Sequence, residues 1–129
     1  MARKPSAALT DAEAAVMAVV WRLRRASVGD VVAAMNETRA VTYSTVQTIL
    51  RILETKGFVG HEAFGKAHQY FPLINKEEYK RHATEKLLGN YFENSVESMF
   101  SFFVKEEKLD LNDVDEILKM IKDIKNRPR

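Results

Sequence analysis

Residues 42 to 57, TYSTVQTILRILETKG, constrain this chain more than any other stretch. Val46, Ile49, Leu50 and Leu53 recur at i, i+3, i+4, i+7, the spacing of one buried helical face. Ser44, Thr45, Gln47, Thr48 and Arg51 fall off that face. Short hydrogen-bonding side chains gathered at a helix's first turns, with one Arg, are what a helix needs to reach base edges in the DNA major groove. An ordinary surface helix with a wet polar face has the same pattern, so the flanking segments must decide between the two.

Upstream, Thr10-Asp11-Ala12-Glu13 forms a capping box and starts a helix to about Arg24. Ala14, Met17, Val20 and Trp21 share one of its faces, and Trp21 is expected as a core anchor. Ser27-Val28-Gly29-Asp30 opens a second helix through Val31, Val32 and Met35 to about Asn36. The loop ETRAV leads to Thr42, the expected N-cap of the third helix, and Gly57 ends that helix. Residues 1 to 8, with Arg3 and Lys4, read as a basic arm, either drawn to a polyanion or simply solvated.

Beyond Gly57 the period changes. Phe58 to Phe64 and Ala67 to Leu73 are rich in aromatic and β-branched residues. Gly65-Lys66 between them suits a type II′ turn, so the pair reads as a β-hairpin ending at Pro72. Asn75 with Glu78 caps a long fourth helix, expected from Lys76 to Lys105 with a bend near Gly89-Asn90. Asn112 with Asp115 starts a last helix to about Lys125.

The expected fold is mainly α with a small β-hairpin wing. A winged helix-turn-helix domain would occupy residues 1–74, and a helical dimerisation region residues 75–129. Leu88, Tyr91, Phe92, Met99, Phe100 and Phe103 would line one apolar stripe of that region; Val114, Ile117, Leu118 and Ile121 would line another. The small N-terminal domain cannot cover both, and an apolar patch of that size is normally an interface, most simply a two-fold one. Two wings related by a dyad would read the half-sites of an inverted repeat.

Charge supports a polyanion partner weakly. Residues 1 to 74 hold nine Lys/Arg against six Asp/Glu, and residues 75 to 129 hold eleven against twelve. With no cysteine there is no disulfide and no thiolate metal site. His61 and His68 lie on opposite strands, where they could face each other, yet without a clear carboxylate partner no metal or cofactor is expected. Glu77-Glu78 and Glu106-Glu107 fall on solvated faces. No nucleophile set, P-loop or Gly-rich cofactor turn is present, so an enzyme is not expected. No apolar run approaches the roughly 18 residues of a membrane span, and the N-terminus lacks an apolar leader core. The expected compartment is the cytoplasm, without membrane insertion.

With LTDAEAAVMAVVW (9 to 21), YSTVQTILRILETKGFV (43 to 59), FGKAHQYFPLI (64 to 74) and SFFVKEEKLDLNDVDEILKMI (101 to 121) in order, nearly the whole chain resembles the BlaI/MecI penicillinase repressor family. The resemblance implies a bacterial homodimeric repressor on double-stranded operator DNA. It implies base contacts from Thr45 and Thr48 with Ser44 beside them, and a basic wing tip, here Gly65-Lys66. Arg51, Lys56 and Lys66 are expected at phosphates. Tyr43 either rests on the sugar-phosphate backbone or packs on the second helix. Many relatives have Arg where this chain has Ile52; here the base is one residue earlier, at Arg51.

Some relatives are inactivated when a membrane-bound sensor protease cuts an Asn-Phe bond. The matching pair here is Ser101-Phe102, so either the inducing signal differs or the protease tolerates the change. Copper-responsive relatives use C-terminal cysteines, which this chain lacks. Two other readings stay open: a ligand-responsive regulator of the MarR type, and a winged-helix protein-interaction module without DNA binding.

Overall fold

The computed structural model describes residues 8–127, so nearly all of the basic arm at residues 1 to 8, with Arg3 and Lys4, lies outside the described residues. Among the described residues, six helices and one hairpin follow in order: α1 (Asp11–Leu23), α2 (Val28–Asn36), α3 (Tyr43–Thr55), β1 (Val59–Phe64), β2 (Ala67–Pro72), α4 (Lys76–Tyr91), α5 (Val96–Lys105) and α6 (Leu111–Asn126). This is the winged helix-turn-helix order.

Local chemistry sets most boundaries. The Thr10 hydroxyl accepts the Glu13 amide at 3.2 Å, and the Glu13 carboxylate accepts the Thr10 amide at 3.0 Å. Ser27 and Asp30 form the same box at the start of α2. Thr42 caps α3. At the far end of α3, Gly57 takes φ +88°, the Phe58 amide donates to the Leu53 carbonyl at 2.9 Å and the Gly57 amide to the Glu54 carbonyl at 3.0 Å. That is a complete Schellman stop, and it turns the chain straight into β1. Gly65 has φ +62° and Lys66 does not share the positive sign, as a type II′ turn requires. The hairpin register runs from Val59↔Pro72 to Phe64↔Ala67.

The N-terminal core gathers the apolar stripes of three helices. Val16, Met17 and Val20 from α1, Val31 and Met35 from α2, and Val46, Leu50 and Leu53 from α3 are buried around Phe58, Val59, Tyr70 and Ile74. Ala14, expected on the inner face of α1, is exposed, and Val16 takes that place. Ala26 and Tyr70 exchange backbone hydrogen bonds at 3.0 and 2.8 Å, which ties the α1–α2 connection to the hairpin. Trp21 is half-buried; its indole N–H donates to the Ile74 carbonyl at 2.9 Å and its ring lies 5.9 Å from Tyr79.

The chain divides into two compact units, Met1–Ala83 and Thr84–Arg129. The division falls inside α4, later than the 74/75 boundary read from the sequence. Its first turns belong with the first unit because Tyr79 packs edge-on against Phe58, at 5.4 Å between ring centroids, and its hydroxyl accepts the Leu9 amide at 3.1 Å.

Two expectations about the tail need correction. The long helix from Lys76 to Lys105 is two helices, and the break lies after Tyr91 rather than at Gly89-Asn90, which stay helical. Glu93 and Asn94 adopt φ +52° and +63°, and the Ser95 hydroxyl accepts the Ser98 amide at 3.0 Å, starting α5 afresh. A glycine lowers helix propensity without stopping the helix; left-handed residues followed by a new cap do stop it. The last helix is capped by Asp110 with Asp113 in a reciprocal box, at 2.9 and 3.1 Å, and not by Asn112 with Asp115. The earlier cap also brings Leu111 into the helix.

The second unit has no buried residue in α5 or α6, nor has α4. Phe92 meets Phe102 edge-on at 5.7 Å, but Tyr91 is 74% exposed and Leu118 50%. Phe100 and Ile121 are exposed as well, while Leu88, Phe92, Met99, Phe103, Val114 and Ile117 are half-covered. Among the described residues, no helix is long and apolar enough to cross a membrane.

Candidate nucleic-acid interface

Burying Val46, Leu50 and Leu53 forces the opposite side of α3 outward, and Ser44, Thr45, Thr48 and Arg51 are all exposed there. Their hydroxyls are not equivalent. The Thr42 hydroxyl donates to Thr45 Oγ1 at 2.9 Å, which leaves the Thr45 proton free to point outward. Thr48 Oγ1 donates to the Ser44 carbonyl at 2.9 Å, so Thr48 offers a methyl group and lone pairs. The first presents a donor and the second an acceptor beside an apolar contact. Those are complementary parts of the major-groove pattern.

Beside this face, α3 and the hairpin border an open cleft of about 350 Å3. Tyr43 and Arg51 line it from the helix and Lys66 from the turn, so three of the four candidate backbone contacts, counting Tyr43, come together. Tyr43 is 55% exposed there, and it borders the cleft together with Ser27 and Val28 at the start of α2. The fourth, Lys56, is engaged elsewhere: its ammonium lies 2.7 Å from Glu13. Glu13 is 94% buried by area, since it is 6% exposed. Burial raises its carboxyl pKa, but the Lys56 hydrogen bond, the Thr10 amide and hydroxyl, and the Lys56 charge together outweigh burial. The net direction is below the usual carboxylate range.

The two hairpin faces have separate tasks. His61, Ala63, His68 and Tyr70 share one face by register, and His61 and His68 do face each other, with ring centroids 4.9 Å apart. His61 Nδ1 meets Glu54 Oε2 of α3 at 2.5 Å. Burial lifts the Tyr70 phenol above its ordinary pKa, the Glu54 charge adds to this and Arg51 opposes it, so Tyr70 is a neutral hydroxyl at pH 7. On the other face, the Arg25 guanidinium lies 5.6 Å from the Phe64 ring centre and 5.0 Å from that of Phe71. It also pairs with Glu62 at 3.2 Å. Gly60 leaves room there, because a Cβ would approach Phe71 Cζ to 3.1 Å. Among the described residues, no group of three His, Cys, Asp or Glu is placed to hold a metal ion.

Sequence reasoning missed Arg25, Glu54 and the Glu13–Lys56 pair. Arg25 had one visible signal, the basic run Arg22, Arg24, Arg25 ahead of α2. Glu54 had none, because its partner is reached only after the chain reverses at Gly57. Ser101 and Phe102 both lie inside α5, and Phe102 is 48% exposed.

Comparison with known proteins matches this architecture. A family model described as penicillinase repressor matches residues 9–123. The penicillinase repressor of Bacillus licheniformis is 26% identical over 121 residues, covering 94% of each chain. The methicillin resistance regulatory protein MecI of Mammaliicoccus sciuri is 23% identical over 109 residues, covering 84% of this chain and 89% of its own. The solution structure of the DNA-binding domain of the repressor BlaI superposes with a TM-score of 0.52 at 30% identity. It covers 61% of this chain and 94% of that one. Since the matched span runs from the cap of α1 to the last turns of α6, the chain belongs to the penicillinase repressor family.

Proposed function

We propose that this protein is a sequence-specific, DNA-binding transcriptional repressor that acts as a homodimer on an inverted-repeat operator. Its relatives are named as repressors, and the domain it superposes on is a DNA-binding one. The observation that carries the reading is the outward face of α3, where Thr45 and Thr48 present opposite hydrogen-bonding characters beside a cleft bordered by Arg51 and Lys66. Ser44, Thr45 and Thr48 contact bases. Tyr43, Arg51 and Lys66 contact phosphates, and Lys56 serves the fold through Glu13. The protein is a binding module rather than an enzyme, and it works in the cytoplasm beside the chromosome.

Dimerisation is supported by the absence of any buried residue in α4, α5 and α6. A second copy covers the apolar residues that one chain leaves open, and each copy contributes one α3 to a half-site. Release by a membrane-bound sensor protease at Ser101-Phe102 requires the middle of α5 to unwind, since proteases bind extended backbone. That bond is the proposed cleavage point. A titration of promoter DNA from upstream of the regulated genes, against random duplex of equal length, tests the repressor reading. Affinity equal for the two DNAs refutes sequence specificity.

A further inference from the structure

The cleft between α3 and the hairpin has chemistry that base reading does not use. Two permanent cations, Arg51 and Lys66, share it with one carboxylate, Glu54, and that carboxylate is already engaged by His61. His68 packs against His61, so two imidazoles lie side by side on the cleft wall. The charged and titratable groups facing them are Tyr43, Arg51 and Glu54 from α3, with Lys66 and Tyr70 from the hairpin. The start of α2 contributes only Ser27 and Val28. Positive charge therefore exceeds negative, and the excess grows with each imidazole that binds a proton. Imidazole is the side chain whose charge ordinarily changes between about pH 5 and 8.

The position of the cleft selects the anion. With α3 in the major groove, the sugar-phosphate strand that borders that groove is the anion nearest Arg51 and Lys66 on the cleft wall. That strand is a chain of phosphodiesters. The geometry points to the paired imidazoles as a further part of the phosphate site already assigned to Arg51 and Lys66: a backbone phosphate of duplex DNA held by those two cations draws a proton onto the cleft wall at His68. With that proton, His68 adds a third positive charge in the complex, its ring packed against the His61–Glu54 pair. Glu54 holds the His61 ring in place and keeps its own charge away from the phosphate. The site rests on the reading of this domain as DNA-binding, and it adds that DNA binding takes up a proton.

The test is fluorescence anisotropy of the full chain with a short random-sequence duplex, at about pH 6 and about pH 8 and over a range of salt. Phosphate contacts do not depend on sequence, so no operator is needed. Wild type is expected to bind about fivefold or more tightly at the lower pH, with a steeper salt dependence there. His68→Phe, a ring that suits a strand, should lose most of that gain, so that its affinities at the two pH values differ by less than about twofold. Arg51→Ala should lower the salt slope by about one at both pH values. A pH gain that His68→Phe leaves intact overturns the site. NMR of the wild-type imidazoles provides a reading that needs no variant: the His68 titration midpoint should rise when duplex is added, and an unmoved midpoint overturns the site too. Tight binding with no pH dependence removes the site but not the DNA reading, whereas no binding at low salt removes both.

Discussion

The Lys56 ammonium lies 2.7 Å from the Glu13 carboxylate, joining the end of α3 to the first turn of α1 across 43 residues of sequence. Glu13 also completes the Thr10 capping box. One side chain thus starts a helix and anchors the helix that carries the candidate base contacts. Replacing it by Gln keeps a cap acceptor but removes the charge.

Glu13→Gln should cost about 1–2 kcal/mol in urea denaturation near neutral pH, because Lys56 is left partly buried without its partner. The folded-state carboxyl pKa is lowered. Its stabilisation is therefore fully present above the unfolded carboxylate pKa and is lost as pH falls through the lower folded value. The gap between wild type and variant should hold steady from neutrality down to about pH 5 and then close on further acidification. A gap that widens in acid would contradict the assignment.

Thr48→Ala and Lys66→Ala should differ in kind. Thr48 presents a methyl and lone pairs to the groove, so its loss should reduce discrimination between operator and random DNA by about 1–3 kcal/mol. Lys66 at the wing tip should weaken all DNA alike and lower the salt slope by about one. Competition titrations over a salt series separate the two outcomes, and identical behaviour would remove the division between base and phosphate contacts.

Phe100→Asp and Ile121→Asp place charge on residues exposed in the single chain. Each should weaken self-association by about 2 kcal/mol or more without unfolding the winged domain, whose core lies elsewhere. Sedimentation equilibrium measures this directly. Wild type that sediments as a single chain at micromolar concentration would refute the homodimer.

Gly57→Ala should destabilise the protein by about 1–2 kcal/mol, although a Cβ there meets nothing within 4 Å. The cost is purely conformational, since the residue needs φ +88° to stop α3 and start β1. Thermal unfolding of the variant checks it, and an unchanged midpoint would mean that the turn tolerates another geometry.

What the sequence alone determined is local. The boxes at Thr10 and Ser27, the cap at Thr42, the stop at Gly57 and the turn at Gly65-Lys66 depend on residues within five positions of one another, so composition and order suffice. The two-residue turn likewise put His61 and His68 on opposite strands, though the register sets Tyr70, not His68, directly across from His61. The apolar stripe of α3 also decided which of its residues point outward. Local signals misled at two points: Gly89-Asn90 looked like the weak spot of a long helix, and Asn112 with Asp115 was read as the last cap where Asp110 with Asp113 forms it. Only the tertiary structure decided which long-range partner each charge takes. Lys56 turns to Glu13, Glu54 to His61 and Arg25 to the outer face of the hairpin. These pairs form between segments that meet only after the core has closed, and a charged side chain carries no periodic trace of the partner it will find.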